Sequence, residues 1–191
     1  MMRIITGSAR GAKLVAPESN HTRPTAERTK EAVFSMLQNA FWGRRVLDLF
    51  GGSGQLALEA VSRGAASAVI VDNHKGALDA IRKNVAHTRL CDRVRVVEAD
   101  AFGYLRTARG EDFSLVFLDP PYGMGLLPRC LSLLAENGVL RAGGLVICEA
   151  AAYDEVFLGD AALAARYEVM KQARYGVAHI TILRLLEEGS A

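Results

Sequence analysis

Asp119-Pro120-Pro121-Tyr122 places a carboxylate, two backbone positions without N–H groups and an aromatic ring in consecutive residues. The tetrapeptide follows the apolar run Phe113–Leu118, which reads as a buried strand ended by proline. Open α/β sheets build their sites at the carboxyl ends of strands. The prolines fix the backbone and remove donors there. The carbonyl of Pro120 can therefore face a ligand beside the Asp119 carboxylate and the Tyr122 ring. An amino group on a planar base suits that set: carboxylate and carbonyl accept its hydrogens, and the ring stacks on the base. The same residues would also make a plain strand-ending turn, because Asp-Pro commonly starts turns.

A second constellation lies upstream. Asp48-Leu49-Phe50-Gly51-Gly52-Ser53-Gly54 follows another apolar run and precedes a helical pattern. Glycines let the backbone approach a ligand closely, and the helix N-terminus offers free N–H groups. Asp72, 20 residues beyond Gly52, ends the next strand, where a carboxylate can take ribose hydroxyls, with Asn73 beside it. Gly52-x-Gly54-x-x-Ala57 also fits the loose dinucleotide fingerprint. Asp48 argues against that ligand, because it sets negative charge beside a pyrophosphate. It favours a ligand with an ammonium group and no phosphate, such as S-adenosylmethionine. Asp100 follows a third strand, and with the amide of Ala101 it could bind the amino group and ring nitrogen of an adenine. Asp100 could equally cap the helix that starts at Ala101.

These loops need an alternating scaffold. Strands are expected at Val46–Phe50, Ala68–Asp72, Val94–Glu98, Phe113–Leu118 and within Leu140–Glu149. Helices are expected at Gln55–Arg63, Gly76–His87, Ala101–Thr107 and Leu126–Asn137. This order implies a mostly parallel sheet with helices on both faces. Tyr167–Arg174 and Ala178–Leu185 flank Tyr175-Gly176-Val177 and read as a terminal antiparallel hairpin on the sheet edge. Ahead of the alternation, residues 2–15 read as a short β-hairpin or extended arm, 16–24 as a loop, and Thr25 to about Phe41 as an amphipathic helix capped by Thr25.

Half of the 191 residues are hydrophobic and 23% are charged, which describes an ordinary globular protein with one sizeable core. No signal-peptide pattern and no 18-residue apolar stretch occurs, so a soluble cytoplasmic protein is expected. Cys91, Cys130 and Cys148 and the histidines His21, His74, His87 and His179 show no ligand spacing. Buried free thiols, surface or loop histidines and no metal are the expectation. Net charge is only +2, but residues 1–30 hold six Lys/Arg against two acids, +4, leaving 17 bases and 19 acids, −2, for the rest. The basic set is Arg3, Arg10, Lys13, Arg23, Arg28 and Lys30. Such a segment suits a polyanion, and equally a solvated surface.

Together these residues resemble the class I, Rossmann-like S-adenosylmethionine-dependent methyltransferases. More closely, the chain is similar to the RsmD-type 16S ribosomal RNA guanine-N2 methyltransferases. The resemblance runs from Arg3-Ile-Ile-x-Gly7-x-x-Arg10-Gly11-x-Lys13-Leu14 through Arg23-Pro-Thr25, Arg28 and Glu31 to the glycine loop and Asp119-Pro-Pro-Tyr122. The last pattern is shared with DNA amino-methyltransferases, so the amino-terminal pattern is what points to ribosomal RNA. The resemblance implies a seven-stranded sheet with a C-terminal antiparallel hairpin and a small N-terminal hairpin/helix extension. It divides the chain into a basic arm, 1–24, and a methyltransferase domain, 25–191. The implied cofactor set is Asp48, Phe50, Gly51, Gly52, Ser53, Gly54, Asp72, Asn73, Asp100 and Ala101. The implied target-base set is Asp119, Pro120, Pro121 and Tyr122. Gly52 replaces a frequent Ala, and His74 stands where a second acid is common. The implied partner is 16S ribosomal RNA or a small-subunit assembly intermediate, met by a monomer with no membrane contact.

Three other readings compete. A DNA amino-methyltransferase would need a larger target-recognition region, a nicotinamide oxidoreductase conflicts with Asp48, and a non-catalytic RNA-binding protein conflicts with an intact Asp119 and glycine loop.

Overall fold

The computed structural model describes residues 2–17, 25–37 and 40–187. They form two compact units, one ending at Ala101 and the other opening at Phe102.

The first unit contains α1 (Thr25–Leu37), β1 (Arg45–Asp48), α2 (Gln55–Ser62), β2 (Ser67–Asp72), α3 (Lys75–Thr88), a single 3-10 turn (Cys91–Arg93) and β3 (Val94–Glu98). Its strands are parallel in the order β3-β2-β1, with Asp48 opposite Ile70 and Asp72 opposite Glu98. Asp48 and Asp72 therefore leave the sheet at the same carboxyl edge. The apolar positions Val46, Leu47, Ile70 and Val71 are fully buried, as strands covered on both faces require. Phe34 and Phe41 stack with centroids 4.9 Å apart, the apolar face anticipated for the leading helix. That helix is described only to Leu37, and residues 38–39 lie outside the described set, as do residues 18–24 of the expected loop.

The arm belongs to this unit. Arg3 and Lys13 pair as an antiparallel bridge, and Ile4 and Leu14 are buried. The amides of Ile5 and Thr6 donate to the two carboxylate oxygens of Glu59 on α2, at 2.7 and 3.1 Å. Glu59 is fully buried and also paired with Arg63 at 2.8 Å. Gly7 has φ +89°, and a Cβ there would lie 1.8 Å from the carbonyl oxygen of Ser62, so only glycine fits this crossing. The expected hairpin-like arm is present, packed against α2 rather than extended into solvent.

The second unit contains α4, which spans Ala101–Thr107 and begins one residue before it, then β4 (Phe113–Leu118), α5 (Leu126–Glu136) and β5 (Leu140–Ala150). A 3-10 turn (Tyr153–Val156), α6 (Ala161–Ala164), β6 (Tyr167–Tyr175) and β7 (Ala178–Leu185) complete it. β4 and β5 are parallel, β7 joins β5 antiparallel, and β6 pairs with β7 outside it. All six residues of β4 are buried. The fold class is thus the expected one: α/β, with a mostly parallel seven-stranded sheet ending in an antiparallel pair. Among the described residues no helix is long and apolar enough to cross a membrane.

Two local expectations are corrected. β1 stops at Asp48 rather than Phe50, because the glycine loop turns away there. Cys91 is exposed, since it opens the 3-10 turn after α3, whereas Cys130 and Cys148 are buried free thiols.

Candidate active site

The glycine loop is built against β2. A Cβ on Gly51 would come within 2.4 Å of Ile70 Cγ2, so the loop backbone lies directly on that strand. The Gly51 amide donates to the Val71 carbonyl at 2.9 Å. The Gly52 amide donates to Asp72 Oδ2 at 2.9 Å, and the His74 amide donates to Asp72 Oδ1 at 2.8 Å. Each Asp72 oxygen keeps a further lone pair for a ligand hydroxyl. Asn73 is exposed, Phe50 is half-buried, and Asp100 is exposed directly ahead of Ala101 and α4.

Asp48 is the buried charge of this loop. The Ala57 amide donates weakly to its Oδ2 at 3.4 Å, and its Oδ1 is buried without a hydrogen-bond partner. Burial pushes the carboxyl up from 3.8 to about 7, with the Asp72 carboxylate adding to the rise and backbone donors opposing it. An orphaned, desolvated carboxylate at the head of a glycine loop fits a ligand that brings its own positive charge. The residues present therefore suit the ammonium group of S-adenosylmethionine.

Ser53, expected in the cofactor set, turns its side chain the other way. Its hydroxyl donates to Met2 Sδ at 3.1 Å, toward the arm. Its carbonyl accepts from Asn84 Nδ2 at 2.9 Å. Asn84 is buried on α3 and also pairs with the backbone of Val15, accepting at 2.8 Å and donating at 2.9 Å. One amide thus ties the arm to the glycine loop.

In the second unit, β4 leads through Asp119 into Pro120-Pro121-Tyr122, which line a small, shallow pocket. Pro120, Pro121, Tyr122, Leu127, Glu149 and Glu155 are among its lining residues. Asp119 is exposed at the strand's carboxyl end, and Pro120 is buried. The Tyr122 hydroxyl donates to Glu149 Oε1 at 2.6 Å, which fixes the ring's far end. Gly123 and Gly125 follow with φ of 72° and 61°, turning the chain into α5.

The basic set separates. Arg3, Arg10 and Lys13 are exposed. Lys30 is only 3% exposed, and its ammonium donates to the Arg3 carbonyl at 2.7 Å. It braces the arm from inside, which differs from the surface phosphate contact expected of it. Arg23 lies outside the described residues, as does the side chain of Arg28 on α1.

Known proteins place the chain. The family model described as Conserved hypothetical protein 95 matches residues 2–184. The chain belongs to this family. Among its relatives, ribosomal RNA small subunit methyltransferase D of Escherichia coli is 38% identical over 148 residues, 78% of this chain and 74% of that protein. The protein of the same name from Haemophilus influenzae is 34% identical over 151 residues, covering 78% of each. The solved structure of the Escherichia coli protein yhhF matches with TM-score 0.83 at 31% identity, covering 97% of this chain and 98% of that one.

Sequence reasoning missed Glu149, Asn84 and Glu59. Glu149 carried a signal: it is an acid that closes an apolar strand, Leu145–Cys148, as Asp48, Asp72 and Asp119 close theirs. Asn84 and Glu59 sit mid-helix, where helical spacing alone cannot distinguish a buried polar clasp from a solvent-facing residue.

Proposed function

We propose that the chain transfers a methyl group from S-adenosylmethionine to the exocyclic N2 of a guanine in 16S ribosomal RNA. The observation that carries the reading is Asp119, exposed at the carboxyl end of β4 and followed directly by Pro120, Pro121 and Tyr122, which line a pocket, in a chain of this family. When bound, S-adenosylmethionine supplies a methyl on a sulfonium, whose departure leaves a neutral thioether. Asp48 meets the ammonium, Asp72 takes the ribose hydroxyls, and Asp100 with the Ala101 amide takes the adenine. Phe50, Gly51, Gly52, Gly54 and Asn73 shape the backbone around the ligand.

On the substrate side, an exocyclic amino nitrogen is a poor nucleophile, because its lone pair is delocalised into the ring. Asp119 and the Pro120 carbonyl accept its hydrogens and favour a pyramidal nitrogen. With S-adenosylmethionine bound as methyl donor, Asp119 would take the proton that the nitrogen gives up on methylation. Pro121 stiffens the loop, and Tyr122 stacks on the extruded base, worth roughly 1–3 kcal/mol. Positioning and preorganised charge supply most of the acceleration. Arg3, Arg10 and Lys13 neutralise RNA phosphates.

The test is transfer of labelled methyl from S-adenosylmethionine to naked 16S RNA, assembled small subunits and duplex DNA, followed by nuclease digestion. Label on guanine N2 from one of the RNA substrates, and none on DNA, is the expected result. Label on DNA alone would sink the reading.

A further inference from the structure

We propose that Glu149 selects the base. Its carboxylate accepts the N1–H of the target guanine, and it repels bases that present a lone pair there. The inference rests on the methyl-transfer reading above and deepens it.

Three observations carry it. Leu118 of β4 and Cys148 of β5 are register partners on parallel strands, and Asp119 and Glu149 each follow that pair by one residue. Two carboxylates therefore leave neighbouring strands at the same carboxyl edge. Glu149 lines the same pocket as Pro120, Pro121 and Tyr122. Its Oε1 also accepts the Tyr122 hydroxyl at 2.6 Å. The residue proposed to stack on the base thus also holds the carboxylate at the edge of the stack.

The chemistry then separates the bases. Guanine presents N1–H and the N2 amino group side by side on its Watson–Crick edge, all donors. Asp119 and the Pro120 carbonyl use the N2 amino group, and an acceptor beside them meets N1–H. Adenine presents a lone pair at N1, which faces a carboxylate unfavourably. A site built to receive a hydrogen bond rejects the analogue that cannot make it, because its own polar group is left unpaired. Glu155 also lines the pocket, but from a single 3-10 turn. Glu149 is held on a strand paired on both sides, with Leu118↔Cys148 on one and Ile180 opposite it on β7. A strand position holds the tighter geometry.

2-Aminopurine separates reaction from recognition: it keeps the exocyclic 2-amino group and carries a lone pair at N1. The methylated guanine is first located by mapping labelled methyl on 16S RNA. RNA ligated to carry guanine or 2-aminopurine at that position is then compared for wild type and Glu149→Gln. Wild type is expected to favour guanine in kcat/KM by on the order of a hundredfold or more, and Glu149→Gln to narrow that ratio by about tenfold or more. Melting temperature and S-adenosylhomocysteine affinity report that the variant is folded, independently of the base. Equal use of both substrates by wild type overturns the proposal whatever the variant does. So does an unchanged ratio in Glu149→Gln, or an equal loss on both substrates, which would leave Glu149 only a support for Tyr122. Absence of methyl transfer to any RNA overturns the functional reading itself, and this inference with it.

Discussion

The Gly52 amide donates to Asp72 Oδ2 at 2.9 Å, so the carboxylate that ends β2 also holds the glycine loop that follows β1. Asp72→Ala removes a ribose acceptor and releases that loop in one change. S-adenosylhomocysteine binding is expected to weaken by roughly 1.5–3 kcal/mol, as for hydrogen bonds to charged groups. Titration calorimetry measures it, and an unchanged dissociation constant would leave Asp72 a turn residue.

Asp119→Ala is expected to abolish methyl transfer while sparing S-adenosylhomocysteine affinity. Losing a preorganised transition-state hydrogen bond costs roughly 2.7–4 kcal/mol, or about 10²–10³ in rate. A transfer assay beside calorimetry tests both halves. Retention of more than about a tenth of the rate refutes the role.

Asp48 predicts a pH dependence with a definite sign. Its carboxyl stands at about 7 in the fold against an ordinary 3.8, so between those values the folded state holds more protons than the unfolded one. Stability from this group is present at low pH and is lost as pH rises through that window, by up to about 1.4 kcal/mol per unit. Urea denaturation of the ligand-free protein at pH 5, 6, 7 and 8 should show this slope, and Asp48→Asn should lack it. S-adenosylhomocysteine binding at pH 6 should release protons, seen as a heat that depends on the buffer. That heat should fade above the carboxyl's pKa. Equal slopes in the two proteins would mean that Asp48 stays ionised in the fold.

Removing residues 1–15 is expected to lower the melting temperature and cofactor affinity together. The arm covers Glu59, and Asn84 links Val15 to the Ser53 carbonyl in the glycine loop. Thermal melting and calorimetry on the truncated protein test this. A truncated protein with wild-type stability and affinity would show that the arm is a free appendage.

Arg3→Gln, Arg10→Gln and Lys13→Gln combined should weaken 16S RNA binding and leave melting unchanged, since all three side chains are exposed. The log–log salt dependence should become shallower by about 0.7 for each single-strand phosphate that is no longer neutralised. RNA binding with an unaltered slope would return the arm's charge to the status of a solvated surface.

The alternation of elements is legible in the sequence, and so are the loops that matter. β3, α4, β4 and β7 have the bounds expected from the sequence, and most other elements differ by one or two residues at their ends. The acids that close strands stand out because a charge after an apolar run is locally conspicuous. What local pattern could not reveal was which polar groups are buried. Lys30 reads as one more basic residue in a basic segment, yet it lies inside, bound to the Arg3 carbonyl. Glu59 reads as a solvated helix position, yet it receives two amides from the amino-terminal arm, more than fifty residues earlier.

Residue type and spacing by themselves determined the α/β class, the glycine loop and the Asp119–Tyr122 turn, because each depends on neighbours within a few positions. The tertiary structure alone decided that the arm docks on α2 and α3, that Asp48 is desolvated, and that Tyr122 meets Glu149. Those outcomes depend on strand register and on which surfaces exclude water, and both are set by contacts between residues far apart in the chain.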